Sequence, residues 1–82
     1  MDRDLLERRL AEAEQSVALG FALVAEQRTI VGELGAWGLD AGAARYLLRV
    51  FESMQEQNLD DLEAAIAQIA ADDERRQLRR AG

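Results

Sequence analysis

The chain has 82 residues, 10 basic against 16 acidic side chains, a net charge of −6, and no histidine, cysteine or proline. This excludes a disulfide scaffold, removes the commonest general base and transition-metal ligand, and disfavours nonspecific binding to nucleic acid or anionic lipid. The length supports one small domain, of a size that often needs a second subunit for stability.

Alanine, leucine, glutamate, glutamine and arginine dominate, all strong helix formers, and no stretch alternates like a strand. The expected class is all-α. The first nine residues, "MDRDLLERR", lack the basic and apolar segments of a signal peptide. The longest uncharged apolar run, Val17 to Ala25, is far short of the ~20 residues that span a bilayer. A cytoplasmic chain without membrane contact is expected.

The first arm is predicted as a helix over residues 3–37. At 100° per residue, Leu6, Leu10, Val17, Phe21, Val24 and Val31 fall on one face, interrupted by Arg28. Leu5, Leu19, Leu23, Ile30 and Leu34 fall on a second face, well over a quarter-turn away. A helix with one neighbour needs a single apolar stripe. Two stripes imply two neighbours. Gly20 lies inside this arm, where glycine costs about 1 kcal/mol relative to alanine; it either admits another backbone or is simply tolerated. Leu19, Gly20, Leu23, Ile30 and Leu34 are therefore the expected oligomer interface. Arg28 either snorkels or pairs with Glu52 across the hairpin.

A turn is predicted over residues 38–40. Gly32, Gly35 and Gly38 imitate a phosphate loop in spacing only, since a helix precedes them and no lysine follows. Gly38 suits a left-handed helix terminator, Leu39 the accompanying apolar contact, and Asp40 the cap of the next helix. Trp37 is not explained by the turn. It either covers the end of the core or anchors a partner, with Tyr46 and Val50 beside it.

The second arm is predicted over residues 41–76, followed by a frayed basic tail over 77–82. Ala44, Leu48, Phe51, Gln55, Asn58, Leu62, Ala65 and Ile69 step by four and three without a phase error. This favours one continuous helix. Asn58 followed by Asp60 and Asp61 resembles an N-cap, so the alternative is a break there and a monomeric three-helix bundle. The two arms match in length, roughly 52 and 54 Å at 1.5 Å per residue. The favoured architecture is an antiparallel helical hairpin that pairs with a second copy as a dimeric four-helix bundle.

No enzyme, cofactor or metal site is expected. The acids at Asp60, Asp61 and Glu63, and at Asp72, Asp73 and Glu74, have neither calcium-loop spacing nor the burial that separates the pKa values of a catalytic pair. The hydroxyls of Ser16, Thr29, Ser53 and Tyr46 have no histidine to activate them. Between Glu52 and Glu74 lie eight acids and no basic residue. They read as a solvated face, with Asp60, Asp61 and Glu63 at its centre. The alternative is an acidic rod that imitates nucleic acid and occupies a partner's basic groove, of phage or mobile-element type.

The run "AEQRTIVGELGAWGLDAGAARYLLRVFESM", Ala25 to Met54, resembles a pattern in many short bacterial proteins and in tails of some sensory regulators. It is carried by Gln27, Arg28, Leu34, Gly38, Asp40, Leu47, Leu48, Phe51 and Glu52, about a third of the chain. The resemblance implies a helical hairpin with no catalytic motif; such relatives often carry histidines that this chain lacks. The functional expectation is a small non-enzymatic protein–protein interaction or regulatory module. Its expected partners are a second copy of itself and another protein, with no direct nucleic acid.

Overall fold

The computed structural model describes residues 2–81. Two helices, α1 (Arg3–Ala36) and α2 (Gly42–Ala81), fold back on each other as an antiparallel hairpin, a rod of 68 × 15 × 14 Å. There is no strand among the described residues.

Each end of the hairpin has a local chemical cause. Asp2 caps α1, its carboxylate accepting from the Asp4 N–H at 3.0 Å. At the other end Gly38 takes φ +71°, and the Leu39 N–H reaches the Leu34 carbonyl at 2.9 Å while Gly38 N–H reaches Gly35. That pair of bonds is a Schellman terminator, which glycine enters without a Cβ penalty. The Asp40 carboxylate then accepts from the Gly42 N–H at 2.9 Å, one residue later than an N-cap at Asp40 itself would place the helix start.

Burial follows a strict seven-residue repeat. From Leu6 to Leu34 the buried and half-buried residues of α1 are Leu6, Leu10, Ala13, Val17, Gly20, Val24, Gln27, Val31 and Leu34, stepping by four and three. From Ala41 and along α2 through Gln55 and Ala65 to Asp72 the same steps continue, with Val50 and Glu52 half-buried beside them. A 3.5-residue period is the signature of a coiled-coil seam, and it drifts about 20° per heptad from an ideal straight helix. Over the four heptads of α1 that drift reaches about 80°.

The drift corrects three expectations. Gly20 and Leu34, expected on the oligomer face, lie on the seam of the hairpin itself. Phe21, expected in the core, is 59% exposed. The second arm is continuous, as favoured, and the three-helix alternative is overturned: Asn58 sits inside α2 with its amide turned to the Ser16 carbonyl. Helix α2 also runs through Ala81, past the tail expected to fray from residue 77, with Arg79 and Arg80 in its last turn where the helix dipole favours cations. Residue 82 of that tail lies outside the described residues.

The seam is thin. Among the described residues only Leu6, Val17, Val24, Ala41 and Ala65 are buried side chains of apolar type, and Gln27, Gln55 and Asp72 are buried beside them. The polar members are all satisfied across the hairpin. Gln27 donates to the Ala44 carbonyl at 3.0 Å, and Gln55 donates to the Val17 carbonyl at 2.9 Å. These bonds fix the register of the two helices, because an axial slip would strand buried amides without partners.

Arg3 closes the open end of the rod. It donates to Asp72 at 3.1 Å and to Asp73, while Arg76 pairs with Asp72 from one turn on. The hydrogen bond from Arg3 is the largest influence holding the Asp72 carboxyl below its ordinary range, and Arg76 and Arg75 add to it. A depressed carboxylate contributes stability above its unfolded pKa of 3.8 and loses it as pH falls through and below that value. The protection of amides near Arg3 and Asp72, relative to their intrinsic exchange rates, is expected to fall on acidification below about pH 4. Asp72→Asn should show low protection throughout and lose that pH dependence.

Candidate interaction surfaces

A coiled-coil seam leaves two flanks, each built from one edge of α1 and one edge of α2, and here they differ in chemistry. On the first flank Leu19, Leu23, Phe51 and Met54 surround a shallow hollow of about 220 Å³, with Gly20, Ser16 and Asn58 at its floor and end. Leu19 is 60% exposed, Leu23 42% and Met54 52%. Ile30 and Leu47 are exposed too and lie one heptad nearer the turn, at the repeat positions of Leu23 and Met54. Leu19, Leu23 and Ile30, expected from the sequence to need cover beyond the hairpin, are therefore only partly covered by their own chain.

Toward the open end the same flank changes character. Arg9, Glu12, Asp61 and Gln68 line a notch floored by Ala13, Ser16, Ala64 and Ala65. Among the described residues Arg9 and Glu12 form no ion pair, and Asp61 accepts only from Gln57 at 3.0 Å.

The second flank carries Phe21, Leu59 and Ile66, and two ion pairs within the chain lie along it. Arg28 pairs with Glu52 at 3.2 Å between Phe21 and the turn, the cross-hairpin pair that was one of two sequence readings of Arg28. Arg3 pairs with Glu7 on this side at 3.1 Å.

The hairpin tip is the third surface. Trp37 is the C-cap of α1 and is 74% exposed, the highest value of any large apolar side chain among the described residues. It does not cover the core. Ala41, only 2% exposed, closes the seam at this end. Leu39 at 53% and Tyr46 at 64% are exposed within two turns of Trp37, and Val50 is half-buried one turn beyond Tyr46.

Asp60, Asp61 and Glu63 are all exposed. The acidic run is nevertheless partly neutralised at its two ends, where Glu52 meets Arg28, and Asp72 and Asp73 meet Arg3. No group of three His, Cys, Asp or Glu side chains is placed to hold a metal among the described residues. No described helix is long and apolar enough to cross a membrane.

Fold and surfaces together define an all-α antiparallel helical hairpin with an unpaired apolar flank. No family model, curated protein or solved structure matches the chain.

Proposed function

We propose that the protein is a small, non-enzymatic interaction or regulatory module of the cytoplasm that works as a homodimeric helical bundle and presents its tip to another protein. One observation carries this reading: the continuous row Leu19, Leu23, Ile30, Leu47 and Met54, each 37–60% exposed on one flank. Contiguous apolar patches larger than about a few hundred Å² are rare on monomeric soluble chains and mark interaction sites. Trp37 supports the second half, because a tryptophan so far out of the core contributes little to folding and is the commonest kind of interface anchor.

A bait of the intact chain used in host extract separates this from the nucleic-acid-mimic reading. Trp37→Ala is expected to abolish partner capture, with the wild-type complex persisting from low to high salt. Capture that falls steeply with salt, survives Trp37→Ala and disappears on reversing Asp60, Asp61 and Glu63 would select the acidic-mimic reading instead.

A further inference from the structure

Resting on the self-association proposed above, we infer that the second copy docks on the Leu23–Met54 flank with its tip pointing the same way, α1 of each copy lying against α2 of the other. This assigns both the face and the orientation.

The choice of flank follows from charge and continuity. The opposite flank also carries apolar residues, Phe21 and Leu59 around one hollow with Ile66 a heptad further on, but that hollow is already bordered by the Arg28–Glu52 ion pair, and Arg3 pairs with Glu7 beyond it. The Leu23 flank has an unbroken apolar half and a polar half whose Arg9 and Glu12 lack partners among the described residues.

Orientation follows from where the apolar stretch lies along the rod. The bonds from Gln27 to Ala44 and from Gln55 to Val17 set Leu23 about level with Met54, and Ile30 about level with Leu47. At 1.5 Å per residue the stretch from Leu19 to Ile30 is centred roughly 10 Å nearer the tip than the middle of the rod.

A twofold axis along the rod keeps those levels. It places Leu23 against Met54 of the second copy, Ile30 against Leu47, and Arg9 within two turns of Asp61, while the full 68 Å overlaps. A twofold axis across the rod does worse. With the rods fully overlapped it sets the apolar half on the polar half. With the apolar stretches superposed, it offsets the rods by roughly 20 Å and leaves the polar halves unpaired.

Tips-together packing makes every neighbouring pair of helices antiparallel, the arrangement of an up-down bundle. It also brings both Trp37 tips to one end, so the dimer offers a two-fold binding surface.

Because the native chain has no cysteine, paired single-cysteine chains test the orientation directly. Ile30→Cys and Leu47→Cys replace exposed side chains, so far-UV circular dichroism should match the parent. Mixed in equal amounts and oxidised, these two chains are expected to form at least tenfold more mixed disulfide than an equal mixture of Leu19→Cys and Ile30→Cys chains. A disulfide cannot bridge the diagonal of the bundle, where Cα atoms are well beyond 7 Å apart. The reverse preference would overturn the orientation in favour of the crossed axis. A dimer that cross-links with neither mixture would overturn the choice of flank. A monomer in sedimentation would instead remove the self-association beneath both.

Discussion

Leu23→Glu is expected to raise the dissociation constant of the dimer at least 100-fold while the hairpin itself stays folded. Leu23 is 42% exposed and off the seam, so the substitution removes little from the isolated chain. In the dimer it removes about 2 kcal/mol of apolar burial per copy and places two carboxylates in a desolvated contact. Symmetry applies the loss twice. Phe21→Glu introduces the same charge at a more exposed apolar site on the opposite flank, and is expected to leave the dimer intact. Size-exclusion elution over a dilution series reads both. A Leu23→Glu chain that elutes with the parent at every concentration would contradict the assignment of this flank.

Gly20→Val is expected to destabilise the hairpin by about 3 kcal/mol, the sum of overpacking and the loss of buried amide bonds. A Cβ at residue 20 overlaps the Gln55 carboxamide oxygen and crowds the Asn58 amide. Gln55 is not free to move aside. It is 6% exposed, donates to the Val17 carbonyl, and accepts from Asn58 at 3.1 Å. Shifting it would break both bonds in the seam. Gly32→Ala is the contrast, since a Cβ there meets nothing within 4 Å. In that exposed helical position alanine is expected to stabilise by about 0.5–1 kcal/mol. Urea denaturation at matched protein concentration measures both. Gly20→Val unfolding at the parent midpoint would show that the Gln55–Asn58 notch does not hold the two helices in register.

The two residues show how far the letters alone lead. The hairpin and its turn were legible because they rest on short-range chemistry: no proline, strong helix formers, and Gly38, Leu39 and Asp40 in terminator order. The continuity of α2 was legible because its four-three steps never slip. The face of α1 was not, for a geometric reason. Leu6, Val17 and Val24 hold the core face under either 3.6 or 3.5 residues per turn, but by Leu34 the two periods differ by most of a right angle. Gln27 and Leu34 belong to the seam clearly only under the shorter period, and Gly20, at the edge of the core face under either, is not apolar enough to draw attention to it. The hint lay in α2, where Gln55 and Asn58 already occupied seam positions. A partner helix that buries amides needs opposing carbonyls close at hand, and a glycine at the crossing supplies that approach.

The tip was half legible. Turn chemistry leaves Trp37 unexplained, but a tryptophan at a hairpin end more often covers the core. Only the placement of Ala41 beneath the turn decides against that role. Ala41, 2% exposed, closes the seam there, and Trp37 stays 74% exposed. The pairing of Arg28 with Glu52 was one of two readings, and heptad geometry selects it. Both residues stand on the flank opposite Leu23, at facing positions of antiparallel helices.

Everything said of assembly depends on whether the Leu19–Leu23–Ile30 row is covered in solution. Sedimentation equilibrium of the unmodified chain at neutral pH, from about 1 to several hundred micromolar, measures this without a label or a mutation. Dimer formation predicts a mass approaching twice the 9.1 kDa of one chain across the upper part of that range. A single species of 9.1 kDa at every concentration would contradict it.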